Sequence, residues 1–173
     1  MSTLDALRAT AHPVRLRLLS LVTSTAMSAA EAARELGLSQ ATASYHFRVL
    51  ERAGLVTVVE VVRVRGGDAK RYRHESSAVP FDVDARPDAV AVDERLRYLD
   101  AQVDELRRRA QHRVDGPAIS TDAELWVGPE TWRRVVRHVG EASALLHAAA
   151  QRPRTPGSVP VSMTVSMFPL RRP

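Results

Sequence analysis
The sequence predicts a fold of the α+β class that is mainly α, and three observations carry that expectation. Ser28 and Glu31 stand at capping-box spacing ahead of an alanine-rich helix that stops at Gly37, and Ser39 opens another helix directly after it. Leu55 to Val64 is rich in β-branched residues, and it is followed by Arg65-Gly66-Gly67-Asp68 and the alternating run Lys70 to His74, the pattern of a hairpin. Further on, Val92, Leu96, Leu99, Val103, Leu106 and Ala110 recur in steps of four and three, the narrow seam of a helix that pairs with another helix.

Each element has its own local reason. Thr3 to Ala11 is the first helix, with Leu4, Leu7 and Ala11 at helical spacing; Pro13 holds His12 toward extended geometry and opens the second helix. There Val14, Leu16, Leu18, Leu19, Leu21 and Val22 form the apolar set, Arg15 and Arg17 are expected outward, and Thr23 to Ala26 is a polar break. The third helix presents Ala29, Ala32, Ala33 and Leu36. The fourth, N-capped by Ser39, turns Ala43, Phe47, Leu50 and Ala53 inward and ends at Gly54. Two short helices joined by a glycine turn make a helix-turn-helix. Ser76 to Pro87 lacks periodicity and reads as a linker, and Asp88 to Arg113 is the long helix, ended by Asp115-Gly116-Pro117. Glu124 to Val127 is a short strand, Gly128-Pro129 opens a helix to about Gln151, and Val159 to Phe168 alternates with the period of two of a half-buried strand. The expected organisation is 1–78, 79–87 (linker), 88–114 (dimerisation helix) and 115–173, the last a small strand-helix-strand unit for packing or effector binding.

At 173 residues the chain is too short for two full enzymatic domains. Its 25 basic residues outnumber 20 acidic ones, and Lys70 is the one lysine, so the positive charge is almost wholly guanidinium. That favours an anionic partner, although a biased source composition explains the arginines equally well. No cysteine is present, which removes disulfides, thiolate nucleophiles and thiolate metal sites together. With no apolar stretch of about 18 residues and no signal-like amino terminus, a cytoplasmic location without membrane contact is expected.

The words AHPVRLRLLSLV, SAAEAARELGLSQATASYHFRVLERAGLV and the hairpin ending KRYRH, in this order between Leu7 and His74, resemble the ArsR-type winged helix-turn-helix of bacterial transcriptional regulators. LWVGPETW together with the terminal SMTVSMFPL is similar to an extension found on some members of that group. The resemblance implies a homodimeric repressor that binds a palindromic operator in double-stranded DNA, without enzymatic activity. A winged-helix module that binds protein instead of DNA is the alternative; it would lack a basic wing.

A helix that enters the major groove hides one face and offers small polar groups and a few long donors on the other. Ser39, Gln40, Thr42, Ser44, Tyr45 and Arg48 occupy that outer arc, where Gln40 suits adenine and Arg48 suits phosphate or guanine. In related regulators the position of Tyr45 is often histidine, so base preference does not transfer. Arg63, Arg65, Lys70, Arg71 and Arg73 give the wing its excess of charge, for phosphate contact or for protection of an edge strand. The dimer interface is expected at Val92, Leu96, Leu99, Val103, Leu106 and Ala110, with Leu4 and Leu7. Asp93, Asp104 and His112 do not make a metal cluster, and no cofactor is expected. His138, Glu141 and His147 lack the spacing of a zinc peptidase, so no catalytic residue is assigned. Trp126, Trp132, Met163, Met167 and Phe168 form either the local core or a pocket for a small organic effector.

Overall fold
A computed structural model describes residues 3–64, 67–74 and 92–170. The described elements run α1 (Thr3–Thr10), α2 (Pro13–Ser24), β1 (Met27–Ser28), α3 (Ala29–Leu36), α4 (Gln40–Arg52), β2 (Thr57–Val64), β3 (Gly67–Arg73), α5 (Val92–Ala110) and α6 (Pro129–Ala148). Six helices and one antiparallel three-stranded sheet, ordered β1-β3-β2, make the expected mainly helical α+β winged helix-turn-helix. Arg65 and the linker at 79–87 lie outside the described residues.

Local chemistry places the helix ends. His12 sits in extended geometry before Pro13, and its Nδ1 accepts from the Val14 N–H at 3.1 Å, which caps α2. The box at α3 closes both ways: the Ser28 N–H donates to Glu31 at 2.7 Å and the Glu31 N–H to Ser28 Oγ at 3.3 Å. Gly37 then ends α3 in the left-handed region at φ 64°, a conformation that a side chain would strain.

The core sits where α2, α3 and α4 meet the root of the wing. Phe47, Leu18, Leu50 and Val22 are its largest fully buried side chains, with Met27, Ala32, Leu55 and Val56 around them. Phe47 lies flat against Tyr72, centroids 4.4 Å apart and planes 8° apart, so α4 and β3 share one contact. β1 was absent from the sequence expectation. It spans two residues, and it exists because Met27 and Ser28 pair with Tyr72 and Arg71 across the sheet.

α5 carries two stripes. Glu94, Tyr98, Ala101 and Glu105 face the protein's own α1 and α2: Arg8 Nε meets Glu94 at 3.0 Å, and Arg17 Nε lies 3.6 Å from buried Glu105. Arg17, expected outward, is thus a partner for α5, and Arg15 is likewise half-buried. The stripe of Val92, Leu96, Val103 and Leu106 faces solvent.

The carboxy-terminal strand-helix-strand expectation needs correction. α6 forms, but neither Glu124 to Val127 nor Val159 to Phe168 is a strand. Alternation makes a segment able to be a strand, whereas a strand exists only when another pairs with it, and no described segment does so here. α6 packs against α2 without burying any residue of its own.

Candidate nucleic-acid interface
The residues of α4 divide cleanly between packing and presentation. Ala43, His46, Phe47 and Leu50 are buried, which fixes the rotation of the helix about its axis. The opposite arc carries Gln40, Tyr45 and Arg48 exposed and Ser44 half-exposed, with Tyr45 at 56%. At the amino terminus Ser39 Oγ accepts from the Thr42 N–H at 3.0 Å and contacts the Thr42 hydroxyl at 2.8 Å. Ser39 and Thr42 therefore build the helix start, where free N–H groups and the helix dipole favour an anion. Arg48 Nε donates to the Ser44 carbonyl at 3.3 Å, which lays its stem along the helix surface.

The wing is a β2–β3 hairpin whose pairs run from Thr57↔Arg73 to Val64↔Gly67, with an irregularity between Val58 and Glu60. Its basic residues are not equivalent. Arg71 donates from Nη2 to the Ala26 carbonyl at 2.7 Å and lies near Glu31 at 3.7 Å and Glu60 at 3.6 Å, so it ties the wing to the start of α3. Lys70 Nζ meets Glu51 of α4 at 3.1 Å. Arg63 and Arg73 are exposed.

Residues 10–59 match the model of a helix-turn-helix domain family. This helix-turn-helix comprises α2, α3 and α4, and it points to a DNA-binding regulator. No curated protein matches the chain significantly.

Around the helix-turn-helix, sequence reasoning missed His46. Its ring lies 4.7 Å from that of His12 and 5.2 Å from that of Tyr45, and its buried Nδ1 has no hydrogen-bond partner. Burial pushes both histidines below their ordinary value, and the nearby Arg15 adds to the effect on each. The signal was present, since position 46 completes the helical stripe 43, 46, 47 and 50.

The remaining expected residues are dispersed. Leu4, Leu7 and Leu99 are half-buried and Ala110 is exposed. Trp126 is 84% exposed, Phe168 and Met167 are exposed, and Trp132 and Met163 are half-buried, so the five do not form a core. A groove of about 370 Å³ opens elsewhere, lined by Asp5, Arg8, Ala9, Arg15, Val49, Arg52 and Ala53. Among the described residues no group of three or more His, Cys, Asp or Glu is placed to hold a metal ion. No described helix is long and apolar enough to cross a membrane.

Proposed function
We propose that the protein is an ArsR-type transcriptional repressor that acts as a homodimer on a palindromic operator in the cytoplasm and has no enzymatic activity. Residues 1–78 are the reader and 88–114 the pairing helix. The observation that carries this reading is the orientation of α4. Its inner face is locked by Phe47 against Tyr72, and its outer arc of Gln40, Ser44, Tyr45 and Arg48 is left to a major groove. Ser39 and Thr42 serve a phosphate at the helix start, while Arg63 and Arg73 serve the flanking backbone, with Arg65 two positions after Arg63 in sequence.

Lys70 and Arg71 divide differently from the other wing residues. Lys70 gives up a weak exposed pair with Glu51 when a phosphate replaces it, whereas Arg71 holds the wing in place. Any DNA contact by Arg71 is made from that fixed position.

Selection of bound genomic fragments by the purified protein supplies the operator for the test. Gln40→Ala with Arg48→Ala should weaken operator binding at least tenfold and non-specific binding by a much smaller factor, the loss of one basic charge. Arg63→Ala should weaken all sequences alike and lower the slope of log affinity against log salt by about one. Unchanged operator affinity in the α4 double variant would overturn α4 as the base reader, and failure to select any operator would overturn the reading in favour of a protein-binding winged helix.

A further inference from the structure
The segment after α6 presents its two faces in an order that does not suit a protomer alone. From Thr155 to Leu170 no residue ionises, and Val159, Val161, Met163, Val165 and Met167 alternate with Ser162, Thr164 and Ser166. The hydroxyl face is the one turned to the protein. Arg109 Nη1 donates to Ser162 Oγ and to the Met163 carbonyl, both at 3.2 Å, and Nη2 donates to Thr164 Oγ1 at 2.9 Å. Ser166 Oγ donates to Gln102 Oε1 at 3.1 Å. The segment therefore runs antiparallel to α5, because seven helical residues and three extended ones each cover about 10 Å.

Its apolar face, apart from half-buried Met163, is left outward. Val159 is 76% and Val161 69% exposed, and Val165 and Met167 are exposed as well. Gln102 and Arg109, the two anchors, neighbour Val103, Leu106 and Ala110 on the α5 surface, so the valines broaden the exposed stripe of α5 into one composite apolar surface.

We propose that the segment Val159–Phe168 is a dimerisation element, its apolar face buried with the α5 stripe against a second copy of the chain. This rests on the homodimer reading above and deepens it. Charge selects the occupant. A phosphate backbone or a charged partner finds no counter-charge on this segment, whereas a two-fold related copy brings an equally neutral segment and meets no like charge. The four-three spacing of the α5 stripe is also the pattern that one helix offers to another like itself. An uncharged alternating segment left uncovered would in addition be an open template for aggregation.

Sedimentation of the full chain tests the proposal. The wild type should be a dimer. Val161→Asp with Val165→Asp should raise the dimer dissociation constant at least tenfold without changing the melting of the winged domain, and Val103→Asp with Leu106→Asp should do the same through α5. If the α5 variant is monomeric and the segment variant dimerises like the wild type, the proposal is wrong and the homodimer reading stands. If both dimerise like the wild type, or the wild type is a monomer, the α5 pairing fails too, and a small molecule or another protein covers this surface. A second measurement avoids any folding defect: in this cysteine-free chain, Val161→Cys should give thiol-crosslinked dimers in clear excess over the exposed control Ser20→Cys. Equal yields would overturn the proposal.

Discussion
His12 and His46 show how single residues set the pH range of the fold. His12 caps α2 through a neutral Nδ1, and its ring faces His46 of α4, with Arg15 and Arg17 of α2 and Tyr45 of α4 as the other ionisable neighbours. Both are depressed below 6.5 by burial, and so is buried His74, whose shift by burial is partly offset by its bond to the Leu55 carbonyl. The folded state therefore resists protons that the unfolded chain accepts. Stability is fully present above about pH 6.5 and falls as pH drops through that value toward the folded pKa values. Glu31 acts in the same direction at lower pH: burial pushes it up, but the Ser28 hydrogen bonds and Arg71 and Arg34 outweigh burial and hold it below 4.5. Thermal midpoints measured from pH 7.5 to 5 should fall, and His46→Gln should flatten that fall. A midpoint independent of pH would show that the histidines are not kept neutral by the fold.

At the scale of elements, caps and one ring pair determine how α3, α4 and the wing meet. Ser28→Ala removes the acceptor for the Glu31 N–H and should cost about 1 kcal/mol in denaturant unfolding. Phe47→Ala empties a fully buried site and separates α4 from Tyr72, so a loss of about 3–5 kcal/mol is expected. A cost below 1 kcal/mol for Phe47→Ala would mean that the wing holds itself in place. These elements were legible in the sequence because their signals are local: Ser28 with Glu31, Gly37, Ser39, and the stripe 43, 47, 50. The two-residue β1 was not, because nothing about Met27-Ser28 differs from a loop until β3 lies beside it. The two carboxy-terminal strands were expected from alternation that the described structure does not pair.

The whole molecule is divided by the way α5 shares its faces. One stripe closes on α1 and α2 through Tyr98, Ala101 and the buried Glu105, which Arg108 also holds at 2.8 Å. The other stripe stays open, with Val92 at 69% exposure, and in the proposed homodimer it is the face that a second copy covers. Leu99→Asp with Val103→Asp should give monomers whose operator affinity falls at least a hundredfold, because each half-site is then bound alone. Full operator binding by a sedimenting monomer would show that one winged unit suffices.

The sequence by itself determined the helix-turn-helix, the hairpin, the long helix with its apolar stripe, and the outer arc of α4. Each of these follows from residues within a turn or two of one another, where capping, glycine geometry and periodicity act. Tertiary structure alone decided that Arg71 braces the wing, that Arg17 reaches Glu105, and that His46 sits buried against His12. It also decided which face of the carboxy-terminal segment meets α5. The physical reason is the same throughout: a side chain's type is written locally, but its partner arrives from a distant part of the chain, so burial, charge pairing and strand pairing are settled only when the two meet.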